Sequence, residues 1–426
     1  YGGTATIAEA AITSNIADHA GGAVVNYGGT ATISGGTFAE NSAAGAAGAV
    51  YNYSGSMEIF GGTFSNNDAT SQGGAICNDD AGIMTVSNAV FIENGVSIFG
   101  AGDDGIIDDD NDGENIVAAY GGAIANNGGT ASIIGGTFSG NSATASGADG
   151  EKVFAACGGA IANNGGIASI IGGTFSGNSA IASAADDQAC GGAIWNAGTA
   201  TLAGAAFTSN NADFGGAICN ESGTVTVSSA VFIGNDAGSE GGAIYNNGGT
   251  MTIADSTFET SSDTIANDGA GVLTLSGTVS LGATLTMKEG STTTNAGLLN
   301  LVVSRRTADD EALLSDWSLL TNQGSLAVTV SASQADGRYR LADNASGFDL
   351  SISLRVDGED TGLSLTVGCD PAIWNERSYF LILESDGTLS LSVGGILPQF
   401  QGSTGGATTI ADRDIPYSSL FAGNDF

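Results

Sequence analysis

Basic side chains are scarce in this 426-residue sequence: 9 Lys and Arg stand against 45 Asp and Glu, for a formal net charge of −36. A field of that sign repels phosphate backbones and anionic lipid surfaces and attracts divalent cations, so nucleic acid is excluded as a partner. Proline is held to 3 residues, and the 69 glycines follow no Gly-X-Y triplet, which excludes collagen. Only 1 His is present, and before Lys288 the only Lys or Arg is Lys152. No apolar run is long enough to span a bilayer as a helix. Charged residues are 13% against 42% hydrophobic, which is too apolar for a disordered chain. The first residues lack a basic stretch followed by an apolar one, so an export signal is expected upstream, in a longer precursor. Acidity, few lysines and Gly/Asn/Thr/Ser richness together predict an exported protein, extracellular or at a bacterial cell surface.

What the sequence does contain is a set of recurring words. Residues 121–141 read GGAIANNGGTASIIGGTFSGN, and nearly the same string returns at residues 158–178. The Asn that closes each GGAI-like word falls at Asn26, Asn52, Asn78, Asn126, Asn163, Asn196, Asn220 and Asn246, with a degenerate Asn267. The base period is about 25 residues, with longer gaps where segments are inserted. A second column is Phe38, Phe64, Phe91, Phe138, Phe175, Phe207, Phe232 and Phe258, all but the last followed three residues later by Asn. A third alternates Thr with Ala, Val, Met or Ile, as in Thr224-Val225-Thr226-Val227.

A fixed period of this size means stacked repeats. Period-two alternation turns one set of side chains inward and the other to solvent. Ile76, Ile124, Ile161, Ile194, Ile218 and Ile244 then form an aliphatic ladder, and the Phe column an aromatic one. Asn at a corner can take the left-handed conformation and hydrogen-bond along the stack. Nothing in these segments repeats at 3.6 residues. The expected fold is all-β: a right-handed parallel β-helix of about ten rungs, three strands each, over residues 1–300. At about 4.8 Å per rung the rod is roughly 50 Å long.

The paired GGAI and FxxN words resemble those of the polymorphic outer membrane proteins of chlamydiae and related bacterial repeat passengers. The likeness covers residues 1 to about 275, with GGAI at residues 73–76, 121–124, 158–161, 191–194, 215–218 and 241–244. It implies a secreted or surface-displayed β-helix of adhesin type. The far end departs from that pattern, having no run of amphipathic strands long enough for a translocator barrel.

Large insertions all fall after FxxN and before GGAI, at residues 95–120, 142–157 and 179–190. In a solenoid they emerge side by side on one flank, where binding usually resides. In the longest, Asp108, Asp110, Asp112 and Gly113 satisfy D-x-D-x-D-G, the opening of a calcium loop, but Ala119 stands where the bidentate acid belongs. Asp103, Asp104 or Glu114 could substitute. The segment reads equally as a structural calcium site or a solvated acidic loop. Cys157 and Cys190 each precede a GGAI word in consecutive rungs, so their Cα atoms lie about 4.8 Å apart and a disulfide is expected; two reduced, stacked thiols are the alternative. Cys77 and Cys219 share another column four rungs apart, and Cys369 has no evident partner.

A β-helix enzyme acting on polysaccharides needs a Lys or Arg base, or carboxylates on a rigid strand face. Lys152 and His19 are the only candidates for a base in the repeats, His19 reads as a corner residue, and Glu58 is a lone acid on its face. A non-catalytic adhesin, stalk or fibre is therefore the preferred reading, with a host-cell, glycan or matrix surface as partner. A carbohydrate-active enzyme is the alternative. Third is an ice-binding face made by the outward T-x-T pairs, which Ser56/Glu58, Ile83/Thr85 and Ile167/Ser169 interrupt.

Beyond residue 275 the words disappear. Residues 307–314 suggest the start of one short helix. Strands at 326–331, 348–356, 363–367, 379–383 and 388–393, joined by Asp-Gly turns, predict a small antiparallel module over residues 301–396. It resembles a module that follows AIDA-type repeats in large bacterial surface proteins, which implies a cap or spacer. Residues 397–426 read as tail or linker. Their GGATTIAD echoes the opening GGTATIAE, so head-to-tail assembly through residues 400–426 and 1–7 is a further expectation.

Overall fold

The computed structural model describes residues 2–99, 116–146, 153–183, 188–303, 311–330, 337–343, 350–356, 359–367, 377–383, 388–395 and 415–416. One lap of chain makes four short strands, as in Thr30–Ser34, Thr37–Ala39, Ser42–Ala43 and Val50–Tyr53. Each strand lies parallel and in register on its equivalent one lap later: Thr30 on Ser56, Phe38 on Phe64, Asn52 on Asn78. Repetition gives four sheets of 12, 14, 11 and 10 strands. Below they are called the T-x-T, Phe, flank and GGAI faces. This is the expected parallel β-helix.

Two local expectations change. A lap has four strands rather than three, because the chain turns again at the Asn of FxxN and the residues after it form their own column. The left-handed residue at that corner is also not the Asn but the one before it: Glu40 (φ 56°), Asn66 (52°), Glu93 (52°), Gly140 (63°) and Ser209 (53°). Only some are glycine, so the strained column is invisible as a sequence period. The second Gly of GGAI has a different reason. A Cβ on Gly122 would lie 2.1 Å from the Gly159 carbonyl oxygen and 2.5 Å from the Ser142 nitrogen, so only a bare backbone fits between laps.

The core consists of columns. From Phe38 to Phe258 the rings stack with centroids 4.6–5.0 Å apart and planes within 14°. All are fully buried, each stabilising by about 2–3 kcal/mol through apolar burial. Two ladders of buried asparagine run beside them. In one, the Asn78 amide donates to Asn126 Oδ1 at 2.8 Å, Asn126 to Asn163 at 2.8 Å and Asn163 to Asn196 at 2.7 Å; it continues through Asn220 and Asn246 to Asn267. In the other, both the backbone N–H and Nδ2 of Asn94 donate to Asn141 Oδ1 (3.1 and 2.9 Å), and Asn141 repeats this on Asn178. Each amide also satisfies a strand-end carbonyl, so the ladder amides at both corners are paired.

The stack continues past residue 300, where the solenoid was expected to end. Leu298–Val302 pairs parallel with Ser325–Val330, which pairs parallel with Leu350–Val356. Antiparallel pairing begins after that, with Leu350–Val356 against Glu359–Val367 and with the sheet Gly337–Ala342, Arg377–Leu383, Thr388–Gly395. The expected helix is not seen among the described residues: Leu314 bridges Leu285 and Ala342 in the GGAI face, and a 3-10 turn follows at Trp317–Leu319.

Candidate functional site

The insertions build one structure. The first leaves along Gly95–Phe99 and returns along Ile116–Tyr120; the second uses Ser142–Ser146 and Val153–Cys157, the third Ser179–Ala182 and Gln188–Cys190. Outgoing strands pair with outgoing ones (Gly95 on Ser142, Ser142 on Ser179), and returning with returning (Tyr120 on Cys157, Cys157 on Cys190). Both columns merge on Asn211–Phe214. Between the two layers lies a small core rich in alanine (Ala119, Ala143, Ala145, Ala156, Ala180, Ala189) with Val96 and Ile98. Small side chains let the layers close on each other, so the insertions form a wall standing on one flank.

The inner row of that wall, Tyr120, Cys157, Cys190 and Phe214, packs on the outward side of the GGAI face at Ala162, Trp195, Cys219, Tyr245 and Ala266. Tyr120 meets Trp195 at 5.3 Å between ring centroids and Phe214 meets Tyr245 at 5.0 Å. Outward aromatics on this face each donate to an acid one lap later. Tyr51 Oη reaches Asp79 at 2.7 Å, Trp195 Nε1 reaches Glu221 at 3.0 Å and Tyr245 Oη reaches Asp268 at 3.2 Å. Burial first, then the acceptor acid, pushes the Tyr51 and Tyr245 hydroxyls well above the ordinary phenol range. Lys288 closes the row, its Nζ bonded to Glu240 and lying 3.0 Å from Asp268. Burial opposes the charge on Asp268, but the Gly269 N–H, Lys288 and Tyr245 outweigh it and hold the carboxyl below its usual range. Where the wall is absent, in the first laps, Tyr27 (45% exposed) stacks on Tyr53 at 4.6 Å and faces solvent.

The residues singled out from sequence fall as follows. Phe38, Phe64, Phe91, Phe138, Phe175, Phe207 and Phe232 are interior, and Asn78, Asn126, Asn163, Asn196, Asn220 and Asn246 form one buried ladder. Asp103, Asp104, Asp108, Asp110, Asp112 and Glu114 lie outside the described residues, as does Lys152. Cys157 and Cys190 are in register as expected, and both are buried free thiols, as is Cys219. Glu58 and His19 are exposed, His19 at a bend between strands. The outward aromatic and acid pairs were not picked out in the sequence. Their signal is there: the residue before the ladder Asn points outward by alternation, and it is Tyr51, Trp195 or Tyr245.

Residues 61–79 match the Chlamydia polymorphic membrane protein (Chlamydia_PMP) repeat family. They comprise one FxxN word, the flank corner and one GGAI word, and the same unit recurs around them in the stack. No curated protein and no solved structure gives a significant match to the chain.

Proposed function

We propose that this chain, a parallel β-helix carrying the polymorphic membrane protein repeat, is a non-catalytic adhesive rod of the bacterial surface or its extracellular matrix. The observation behind this reading is the wall: three insertions stacked on one flank of a rigid scaffold, the arrangement by which solenoids present variable loops to a partner. The partner is a host-cell, glycan or matrix surface, met by the insertions and by the stacked Tyr27 and Tyr53 of the first laps. Such a surface binds without turnover. Grafting short turns in place of residues 100–115, 147–152 and 184–187 is expected to abolish saturable binding to cells or glycan-coated surfaces while the far-ultraviolet dichroism stays unchanged. Full binding by the grafted protein would sink the adhesive reading, and depolymerisation of an acidic polysaccharide would replace it with the enzymatic one.

Two expectations attach to this function. Asp108, Asp110 and Asp112, completed by Asp103, Asp104 or Glu114, are proposed to take calcium; calorimetry on the chain and on an Asp110→Asn, Asp112→Asn variant checks this. Head-to-tail assembly through residues 400–426 and 1–7 predicts fibres by electron microscopy that vanish when 400–426 are deleted.

A further inference from the structure

Three thiols converge where the wall meets the rod. Cys157 and Cys190 lie on neighbouring returning strands, 4% and 6% exposed. Cys219, on the rod strand Ile218–Glu221, is 1% exposed and lies in the same buried cluster as Cys190 one lap later, the offset at which Phe214 packs on Tyr245. Trp195, Tyr245 and Phe214 surround them and exclude water. Sequence spacing pairs Cys157 with Cys190, but direction argues otherwise. Residues in register on parallel strands project the same way, side by side, at about the 4.8 Å strand spacing. A cystine needs Cβ atoms about 3.5–4.5 Å apart on converging bonds. Cys190 and Cys219 belong to two layers packed face to face, so their side chains approach from opposite sides.

We propose that Cys190 and Cys219 are the pair that becomes covalently linked, stitching the wall to the rod, while Cys157 remains a thiol. The oxidant is a disulfide, such as glutathione disulfide in an oxidising compartment. The Cys190 thiolate attacks one of its sulfurs and releases one thiol. Cys219 then attacks the Cys190 sulfur of the mixed disulfide and releases the second. Two electrons pass to the oxidant, and the two cysteine protons end on the released thiols. Burial pushes the Cys157 thiol up, and contact with Cys190 together with burial does the same to Cys219. Exchange therefore occurs when the wall opens, and the finished bond is shielded from reduction. This inference does not depend on what the wall binds.

The test is to hold the folded full chain in excess glutathione disulfide, alkylate the remaining thiols after unfolding, and digest without reductant. Chymotrypsin has sites at Trp195, Phe207 and Phe214 between the two cysteines. The expected main product is a Cys190–Cys219 peptide pair lacking two hydrogens, with Cys77 and Cys157 alkylated. Cys157→Ser leaves its yield unchanged, and Cys219→Ser lowers total intramolecular cross-link at least ten-fold. A main product joining Cys157 to Cys190, one reaching Cys369, or complete alkylation of all cysteines overturns the proposal.

Discussion

The regular laps and the last laps share one column but fill it differently. From Phe38 to Phe258 the interior of the Phe face is aromatic at every lap; the same register continues as Leu281, Leu301 and Val328. The FxxN ladder ends at the same level, where Asp263 Oδ1 receives both the backbone N–H and Nδ2 of Asn235 at 2.8 and 2.9 Å. The other ladder ends on Thr293, whose hydroxyl takes the Asn267 amide at 3.0 Å. Parallel stacking survives the loss of both. Continuous apolar burial is therefore enough to propagate the coil, and the ladders add lap-to-lap register and satisfied corners, which the last laps replace with separate lap-to-lap bonds such as Thr329 Oγ1 to Asn300 Oδ1 at 2.7 Å.

That contrast can be broken experimentally. The largest effect is expected from Phe138→Ala, which removes a ring stacked on both sides and should cost about 4 kcal/mol in denaturant unfolding, against about 3 kcal/mol for Leu301→Ala. A harmless Leu301→Ala would mean that the late laps are not one core with the early ones. If the Cys190–Cys219 bond forms, reducing it should lower stability by about 3 kcal/mol, given the loop it closes, with no change in Cys219→Ser. Asn141→Ala removes the acceptor of the Asn94 backbone N–H and of one Nδ2 hydrogen, and the side-chain donor to the Phe91 carbonyl, and should cost about 2 kcal/mol, while Asn300→Ala costs about 1 kcal/mol. The smallest effect sharpens the picture at the junction of the two regions. Asp268 has a lowered folded pKa, so its contribution is present above the ordinary Asp range and is lost as pH falls through the lowered value. Lys288 is raised because Glu240 and Asp268 outweigh its burial, so its contribution is present at neutral pH and is lost as pH climbs through the raised value. Both side chains are partly exposed, so Asp268→Asn should cost no more than about 1 kcal/mol at neutral pH and nothing in strong acid.

Much of this was readable beforehand. Phe138 over Phe175 and Asn126 over Asn163 follow from spacing, because one lap apart in sequence is one strand apart in space. The placement of the three insertions on one flank follows in the same way. Less legible was the late stack, since Leu281 and Leu301 carry no word to align. The left-handed corner filled by Glu40, Asn66 and Ser209 was hidden too, because a Cβ at positive φ is tolerated there by the surrounding ladder and leaves no glycine as a mark.

By itself, the sequence determined what each residue stacks on along the rod, since a period specifies neighbours within a column. Only the tertiary structure decided what meets across columns: Tyr120 on Trp195, Phe214 on Tyr245, Cys219 beside Cys190. Those contacts depend on the angle of each corner and on how far an insertion folds back over the next face. Both are set by packing between layers, and no repeat length encodes them.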